Sequence, residues 1–401
     1  RVDAIGETQY DWPTKENLMN TALAEIPIID IDTHFTEPKD LWLRRAPAKL
    51  RDVAPRVAVN ADGKQQWVVE DLTLGPPGFC VIDKQGAKTY GTFSLDNFEA
   101  MTDAATLPEA RLASMDELGL EVQILYPNIL GFAGSRIMQV KDTDVRNFCV
   151  TAYNDAVADL QSDGKGRLYP QALLPFWDLE LAVRELERCH DELSLTGFTM
   201  TDAPEQWQLP YLHDSFWDPL WSTAQERGLP VNFHIGSGTS VSPWKGLGNN
   251  RSLAAVSTMM FMNNMRCLTN LIFSGLLDRF PSLNFVSVES GVGWLPFMLE
   301  SCEYQMDENL VDRGGLELRP MEYFKRQIYA SFWFEKTSIA HTVEVLGNGN
   351  IMFETDFPHP TCLYPGVRDH VEACLGDQDR QTQENILFRT AANVYGITLN
   401  N

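Results

Sequence analysis

The stretch IIDIDTH, residues 28–34, places two aspartates and a histidine in an otherwise apolar segment. Because successive side chains of a β-strand point to opposite faces, this alternation predicts that Asp30, Asp32 and His34 share one face of a strand. A carboxylate beside an imidazole can hold Zn²⁺, Fe²⁺ or Mn²⁺. The stretch therefore predicts a strand that ends in a metal site.

Two later segments repeat this pattern of an apolar strand that ends in a potential ligand: PVNFH ends in His234, and NIMFETD ends in Asp356. Strands are predicted at 28–34, 122–126, 169–175, 196–201, 231–234, 283–289, 328–334 and 351–356. Helices are predicted between them at 108–118, 143–162, 179–193, 214–227, 268–280, 291–305 and 338–346. This alternation predicts an α/β fold, a (β/α)8 TIM barrel.

A long segment without a regular pattern, from about residue 35 to 110, interrupts the alternation after the first strand. It is rich in proline and glycine and contains one predicted strand near residues 66–71. Long excursions in compact domains are usually functional, so we predict an insertion that folds over the barrel mouth as a lid. Residues 1–25 are predicted to form a polar N-terminal arm, and residues 26–401 the barrel with its insertion.

The composition argues against several classes of partner. The chain has 401 residues, of which 44% are hydrophobic, and a net charge of −23. This acidity argues against nucleic acid and an anionic membrane surface, and no apolar run reaches the length of a membrane span. The start of the chain lacks the pattern of a signal peptide, and the 7 scattered cysteines fit reduced thiols. We therefore expect a cytoplasmic protein that acts on a small molecule.

The carboxyl ends of the predicted strands carry most of the candidate site. In a barrel of this kind these ends face the active-site mouth. The ionisable residues found there are Asp32, His34, His234, Glu289 and Asp356. Any one of them alone would be explained as a hydrogen-bonded structural group, but together, on four strands, they predict a centre for a divalent metal ion.

Further polar residues follow predicted strands. Glu37 is a candidate ligand, a substrate contact, or a carboxylate at a helix N-terminus. His359, just beyond the last strand, is a candidate for contact with the substrate or for shaping the loop. Arg136 and Lys245 lie on loops after strands, where either could bind a carboxylate, although surface charge is the simpler explanation.

Aromatic residues are frequent near the predicted strand ends and loops, and they would suit an apolar or aromatic substrate. Packing in the core is the alternative for most of them. The tryptophans predicted to contact the substrate are Trp67, Trp244 and Trp294.

Four motifs, taken in order, resemble the amidohydrolase-related enzymes that include aminocarboxymuconate-semialdehyde decarboxylase and the resorcylate and hydroxybenzoate decarboxylases. The motifs are IDIDTHFTEP at 29–38, VNFHIGSG at 231–238, RFPSLNFVSVESG at 279–291 and FETDFPHP at 353–360. The resemblance extends from about residue 26 to 397. It implies a metal-dependent TIM barrel, and such barrels often form homodimers.

By this resemblance the first strand supplies two metal ligands, here Asp32 and His34 where many relatives have a His-x-His pair. His234 and Asp356 match the ligands on the middle and last strands. We expect Zn²⁺ first, with Mn²⁺ or Fe²⁺ as alternatives. Glu289 departs from the pattern of the family, because the decarboxylases carry a catalytic histidine in this segment.

The leading hypothesis from the sequence is a metal-dependent hydrolase. In this reading Asp32, His34, His234 and Asp356 hold a metal ion that activates water, and Asp356 or Glu289 accepts a proton as the water attacks a carbonyl. His234, Glu289 and Asp356 are thus the predicted catalytic residues, and Glu289 is also a predicted ligand.

Three alternatives remain open at this point. Non-oxidative decarboxylation of an aromatic acid would need Glu289 or His359 to replace the missing histidine. An oxygenase with two iron ions is possible because four carboxylates and two histidines match the ligands of di-iron proteins. The third alternative is a non-enzymatic binding protein that has kept a degraded site.

Overall fold

The structure, a computed structural model, describes residues 21–238, 241–311 and 316–399. Its first half contains α1 (Thr21–Ala24), β1 (Ile29–His34), α2 (Leu41–Arg45), β2 (Arg56–Val59), β3 (Gln65–Val69), β4 (Leu72–Gly75), α3 (Pro108–Leu118), β5 (Val122–Tyr126), α4 (Thr143–Asp163), β6 (Leu168–Pro170), α5 (Leu179–Asp191) and β7 (Phe198–Thr199). Most of the N-terminal arm predicted at 1–25 lies outside the described residues.

The second half continues the alternation of strands and helices. It contains α6 (Asp218–Glu226), β8 (Val231–His234), α7 (Asn249–Phe273), α8 (Leu276–Arg279), β9 (Phe285–Val288), α9 (Leu295–Glu308), α10 (Pro320–Gln327), β10 (Ile328–Phe332), α11 (Ser338–Leu346), β11 (Ile351–Phe353), α12 (Val367–Leu375), α13 (Arg380–Glu384) and α14 (Thr390–Tyr395). No described helix is both long and apolar enough to cross a bilayer.

Eight parallel strands form one sheet in the order β6-β5-β1-β11-β10-β9-β8-β7. The two outer strands also meet, because Ala172, just beyond β6, pairs with Phe198 of β7. The Ala172 amide donates to the Gly197 carbonyl at 3.0 Å, and the Thr199 amide donates to the Ala172 carbonyl at 3.1 Å. The sheet is therefore closed, and the predicted barrel is confirmed.

The first strand contains a β-bulge that changes which side chains face the barrel interior. Asp30 pairs with Gln123 of β5, whereas Thr33 pairs with Leu125, so β1 has one extra residue between these pairs. Asp30 turns away and accepts hydrogen bonds from the Thr355 amide at 2.8 Å and the Gln123 side chain at 3.2 Å. The prediction that Asp30 shares a face with Asp32 and His34 is therefore wrong.

The helices differ from the prediction in several places, among them α10, which was not predicted. Helix α7 begins at Asn249 rather than at residue 268. The C-terminal helices, which were not predicted, close the bottom of the barrel: Val394 and Tyr395 of α14 pack in one buried cluster with Ile29, Val122 and Met352 of the strands.

The insertion after β1 contains a three-stranded antiparallel sheet in the order β2-β3-β4. Trp67 is fully buried in it and donates from Nε1 to the Pro77 carbonyl at 2.8 Å. The Val81 amide donates to the Pro358 carbonyl at 3.1 Å, which ties the insertion to the loop after β11. The insertion therefore lies at the barrel mouth.

Candidate metal centre

The structure brings the five predicted ligands together at the carboxyl ends of four strands. Asp32 and His34 lie on β1 and His234 ends β8, while Glu289 and Asp356 follow β9 and β11. The His34 and His234 Nε2 atoms are 3.1 Å apart. His34 Nε2 lies 3.6 Å from Asp32 Oδ1 and 3.5 Å from Asp356 Oδ1, and His234 Nε2 lies 3.4 Å from Glu289 Oε2.

The donor atoms of this cluster fit a divalent cation. Both oxygens of Asp32, Oε2 of Glu289 and Oδ1 of Asp356 are buried without a hydrogen-bond partner. Nδ1 of His234 lies 2.8 Å from the Ile235 carbonyl, so it carries the proton and leaves the Nε2 lone pair free for a cation. Buried carboxylates and imidazoles with unused lone pairs are the ligands that Zn²⁺, Mn²⁺ and Fe²⁺ share.

The electrostatics of the cluster also favour a bound cation. Burial, reinforced by repulsion from neighbouring carboxylates, raises the pKa of the Asp356 and Glu289 carboxyls well above their usual range. Burial also raises the pKa of Asp32 and lowers that of His34 well below its usual value. A bound divalent cation would lower the pKa values of the carboxyls around it, because it stabilises their ionised form.

Two of the candidate ligands lie on strained backbone. Glu289 has a φ of +58° and Asp356 a φ of +59°, in the left-handed region that residues other than glycine rarely adopt. The Glu289 amide donates to Glu354 Oε2 at 3.0 Å, and the Asp356 amide donates to the Asp32 carbonyl at 2.9 Å. Such strain persists where surrounding contacts fix the backbone, and it is common at functional sites.

His359 joins the centre from the loop after β11. Its Nδ1 lies 3.0 Å from Asp356 Oδ1, and its Nε2 lies 2.7 Å from Asn128 Oδ1. Its ring stacks on His34 with 3.5 Å between centroids. A second set of potential ligand atoms, from His34, Asp356 and His359, therefore overlaps the first.

A cavity of about 270 Å³ opens onto the centre, with Glu289, Asp356 and His359 among its lining residues. Most of its other walls are apolar or aromatic. Phe79 and Phe93 of the insertion, with Phe132, Phe261, Met260 and Trp333, supply these walls. The insertion therefore forms part of the substrate-sized space, as expected for a lid.

The tryptophans predicted to contact substrate lie elsewhere. Trp67 is buried in the insertion sheet, because its ring packs edge-on against Trp42 at 5.0 Å. Trp244 is 85% exposed on the loop before α7. Trp294 donates to the Ser290 carbonyl at 2.9 Å and is not among the residues that line the cavity.

Glu37 is buried against the loop after β5 and is not among the residues that line the cavity. Its Oε1 accepts hydrogen bonds from the Asn128 and Ile129 amides at 2.9 and 3.1 Å. Burial raises its pKa to about 7. These contacts give Glu37 a role in holding the loop after β5.

Three buried polar residues near the centre were missed by the sequence analysis. Arg111 of α3 donates to the His34 carbonyl at 2.5 Å and to the Ala104 carbonyl at 2.7 Å. Asn128 orients His359, and Glu354 holds the Glu289 amide. The available signal was a polar residue in or beside an apolar segment, which gives no partner by itself.

A closed parallel barrel with a cluster of acids and imidazoles at its strand ends defines the class of metal-dependent TIM-barrel enzymes. The sequence profile of the family described as amidohydrolase matches residues 29–397. The chain belongs to this family.

Named relatives are similar over most of their length. The chain is 24% identical over 271 residues to gamma-resorcylate decarboxylase of Polaromonas sp. (strain JS666 / ATCC BAA-500), covering 63% of this chain and 77% of that protein. It is 23% identical over 301 residues to 2-amino-3-carboxymuconate-6-semialdehyde decarboxylase of Dictyostelium discoideum, covering 73% of this chain and 77% of that protein.

A solved structure shares the fold. It is the dihydroxybenzoic acid decarboxylase of Polaromonas sp. JS666 with bound manganese and the inhibitor 2-nitroresorcinol. The TM-score is 0.61 at 19% identity, and the match covers 92% of this chain and 97% of that one.

Proposed function

We propose that the chain is a metal-dependent, non-oxidative decarboxylase of a small aromatic acid. The observation that carries the proposal is the Glu289 carboxyl, which lines an aromatic cavity and whose pKa is raised well above its usual range by burial. A raised pKa favours the protonated form of the carboxyl, and a protonated carboxyl can donate its proton. The similarity to decarboxylases supports this reading above the hydrolase that the sequence first suggested.

Asp32, His34, His234 and Asp356 would hold the divalent ion, with Glu289 beside His234. When bound, such an ion supplies positive charge that attracts substrate oxygens and stabilises negative charge on them. Both Mn²⁺, present in the similar solved structure, and Zn²⁺, expected from the sequence, suit these ligands.

The protein's own part in the reaction centres on Glu289. Glu289 donates its proton to the ring carbon that bears the carboxylate. The bond between that carbon and the carboxylate then breaks, CO₂ leaves, and the bonding electron pair stays in the ring. Glu289 is left as a carboxylate and regains a proton from solvent before the next turnover.

His359 and the cavity walls support this step. His359 contacts Asp356 and Asn128 through its two ring nitrogens, so it orients Asp356 and excludes water beside it. Phe132 and Trp333 offer apolar surface to an aromatic ring. The insertion serves as the lid in this proposal, because Phe79 and Phe93 come from it.

Metal analysis and activity assays on one purified sample distinguish this proposal from its alternatives. The purified protein would be analysed for metal by plasma mass spectrometry and assayed for CO₂ release from a panel of hydroxybenzoates and carboxylated hydroxybenzoates. A single Mn²⁺ or Zn²⁺ per chain with CO₂ release supports the decarboxylase. Hydrolysis of esters or lactones without CO₂ release would favour the hydrolase and contradict the proposal.

Glu289→Gln tests the acid directly. Glutamine keeps the size and the lone pair of the side chain but has no acidic proton, so we expect kcat to fall by roughly 100-fold or more. Metal content should stay unchanged, which separates proton donation from ligation. Full activity in this variant would exclude Glu289 as the acid.

The di-iron oxygenase has one observation in its favour, the overlap of two ligand sets that share His34. Two irons per chain, near-ultraviolet absorption and O₂ consumption would support it in the same experiment.

We also propose a homodimer and a cytoplasmic location. The family resemblance supports the dimer, which sedimentation analysis would test. All described cysteines are free and buried, which is consistent with a reducing compartment.

A further inference from the structure

Glu335 is a buried carboxylate that bridges two segments of the cavity wall. It lies shortly after β10 and accepts three hydrogen bonds from backbone amides. Its Oε1 atom accepts from the Val292 amide at 2.5 Å and from the Gly293 amide at 3.1 Å, both in the loop after β9. Its Oε2 atom accepts from the Trp333 amide at 2.7 Å, directly after β10. One side chain therefore ties the loop after β9 to the end of β10.

Each of these two segments carries a residue of the cavity wall. Glu289, the proposed acid, lies three residues before Val292, and Trp333 itself lines the cavity. The Glu289 backbone is in the left-handed region, at a φ of +58°, so surrounding contacts must hold it there. The Glu354 carboxylate holds the Glu289 amide on one side, at 3.0 Å. Glu335 holds the loop on the other side.

The chemistry of the side chain explains why a carboxylate stands at this position. An ionised carboxylate has two oxygens that only accept hydrogen bonds, so it can serve all three amides. A glutamine would offer one oxygen, and its NH₂ group would face an N–H group that needs an acceptor. The carboxylate also fills the space beside the loop, because a Cβ atom added to Gly291 would lie 2.5 Å from Glu335 Oε1.

We propose that Glu335 is a positioning residue, which fixes the Glu289 carboxyl relative to the aromatic wall at Trp333. A substrate ring that rests on this wall then presents its reacting carbon to Glu289 at a set distance. This role rests on the proposed function, in which Glu289 donates the proton. The distance matters because a misplacement of about 1 Å can cost about 100-fold in rate.

The test is a double-mutant cycle on kcat with wild type, Glu335→Gln, Glu289→Gln and the double variant, all loaded with Mn²⁺. Glu335→Gln should lower kcat by roughly 10- to 100-fold and raise KM far less. In the Glu289→Gln background the same change should have almost no further effect, because the acid that Glu335 positions is already gone. Metal content should match wild type in all four proteins.

Glu303→Gln is the matched control for loss of a carboxylate that holds backbone. The Glu303 carboxylate accepts from the Met321 amide at 2.9 Å and does not line the cavity. This variant should keep kcat.

A second pair of variants reaches the Glu335 carboxylate from the backbone side. Alanine at Gly291 would push the carboxylate aside, whereas the space for a Cβ atom at Gly228 is open. The two glycines have similar φ angles, +67° and +65°, so alanine brings similar backbone strain to both. Gly291→Ala should therefore lower kcat and Gly228→Ala should not. This pair decides the question if Glu335→Gln does not fold.

Amide hydrogen exchange, followed by mass spectrometry on the metal-loaded proteins, tests the contacts without turnover. Glu335→Gln should speed exchange in peptides that span residues 290–294 and 332–334, and it should leave β11 unchanged.

Three results would overturn the inference. They are unchanged exchange in both segments, an unchanged kcat in Glu335→Gln, and a loss of kcat that adds fully to the loss in Glu289→Gln, which indicates a general structural role. If no acid releases CO₂ with wild type, the proposed function fails. The exchange rates alone then decide whether Glu335 holds the two segments together.

Discussion

Asp356 is held in place by its burial, its backbone conformation and its side-chain contacts. It is fully buried, lies on left-handed backbone, and contacts His359 at 3.0 Å and His34 at 3.5 Å. The Thr361 hydroxyl donates to its other oxygen at 3.2 Å. A carboxylate with a fixed direction and one buried oxygen, Oδ1, that accepts no hydrogen bond is suited to holding a cation.

The Asp356→Asn variant should lose activity without losing the fold. An amide cannot supply the negative charge, so metal affinity should drop and kcat should fall by about 100-fold or more. The metal-free variant should be no less stable than metal-free wild type, because one member of a repelling cluster of acids is gone. Metal analysis, steady-state kinetics and urea unfolding measure these effects.

The matched control is Glu185→Gln, at a buried carboxylate on α5 that accepts from the Asn154 side chain at 2.7 Å, pairs with Arg188 at 2.7 Å and does not line the cavity. It should keep metal and kcat. Wild-type activity in Asp356→Asn would contradict the assignment of the centre.

Glu37 should make stability depend on pH in a defined direction. Its pKa is about 7 in the folded protein, raised from 4.5. Its contribution to the free energy of unfolding is therefore fully present below about pH 4.5. That contribution is lost as pH rises to about 7, because the unfolded chain ionises first. Glu37→Gln keeps an acceptor for the Asn128 and Ile129 amides but cannot ionise.

Urea unfolding of metal-free wild type and Glu37→Gln across pH 5 to 8 provides the measurement. The stability of wild type relative to the variant should fall by on the order of a few kcal/mol up to about pH 7 and then level off. Parallel curves for the two proteins would show that Glu37 ionises normally in the folded state.

At the level of elements, the helices at the end of the chain complete the barrel. The Tyr395 hydroxyl of α14 donates to Asn232 Oδ1 of β8 at 2.7 Å, and it faces the Tyr126 hydroxyl of β5 at 3.4 Å. One helix thereby connects strands from opposite parts of the barrel. The buried polar contact fixes how α14 enters the barrel.

Tyr395→Phe should destabilise the protein by about 1–3 kcal/mol, because Asn232 Oδ1 is then buried without its donor. Chemical unfolding would measure this loss. Tyr304→Phe, at a side chain that is 60% exposed, is the control and should unfold like wild type. Equal stability of both variants would exclude a structural role for the hydroxyl.

At the scale of the whole molecule, several buried carboxyl groups lie close together at the mouth of the metal-free barrel. The pKa values of Asp32, Glu289, Glu354 and Asp356 are all raised by burial, reinforced in the last three by neighbouring carboxylates. The raised pKa values of Asp32 and Asp356 favour their protonated forms, so a cation that binds these two carboxyls must displace protons from them. Metal binding should therefore release protons and become tighter as pH rises.

Calorimetric titration of chelator-treated protein with Mn²⁺, repeated in buffers of different ionisation enthalpy, would count the protons released. The melting temperature should rise when Mn²⁺ is restored, because the ion binds the folded state alone. Affinity that is independent of pH, or an unchanged melting temperature, would show that the acids are not ligands.

The amino-acid sequence alone was enough to predict the barrel and the composition of the centre. Strands and helices have local periods, and residues at strand carboxyl ends share one face of any such barrel. Asp32, His34, His234, Glu289 and Asp356 could therefore be grouped from their positions in the sequence. The antiparallel sheet of the insertion could be predicted only in part from the sequence, because it depends on pairing between strands.

The tertiary structure determines which side chains from distant parts of the chain come into contact. The bulge that turns Asp30 away, the fit of α14 under the barrel, and the burial of Trp67 all follow from pairing and packing between distant segments. Arg136 is the clearest case. A loop arginine has no distinctive sequence signal, and only the tertiary structure shows that it lies on the cavity wall against the ring of Phe79.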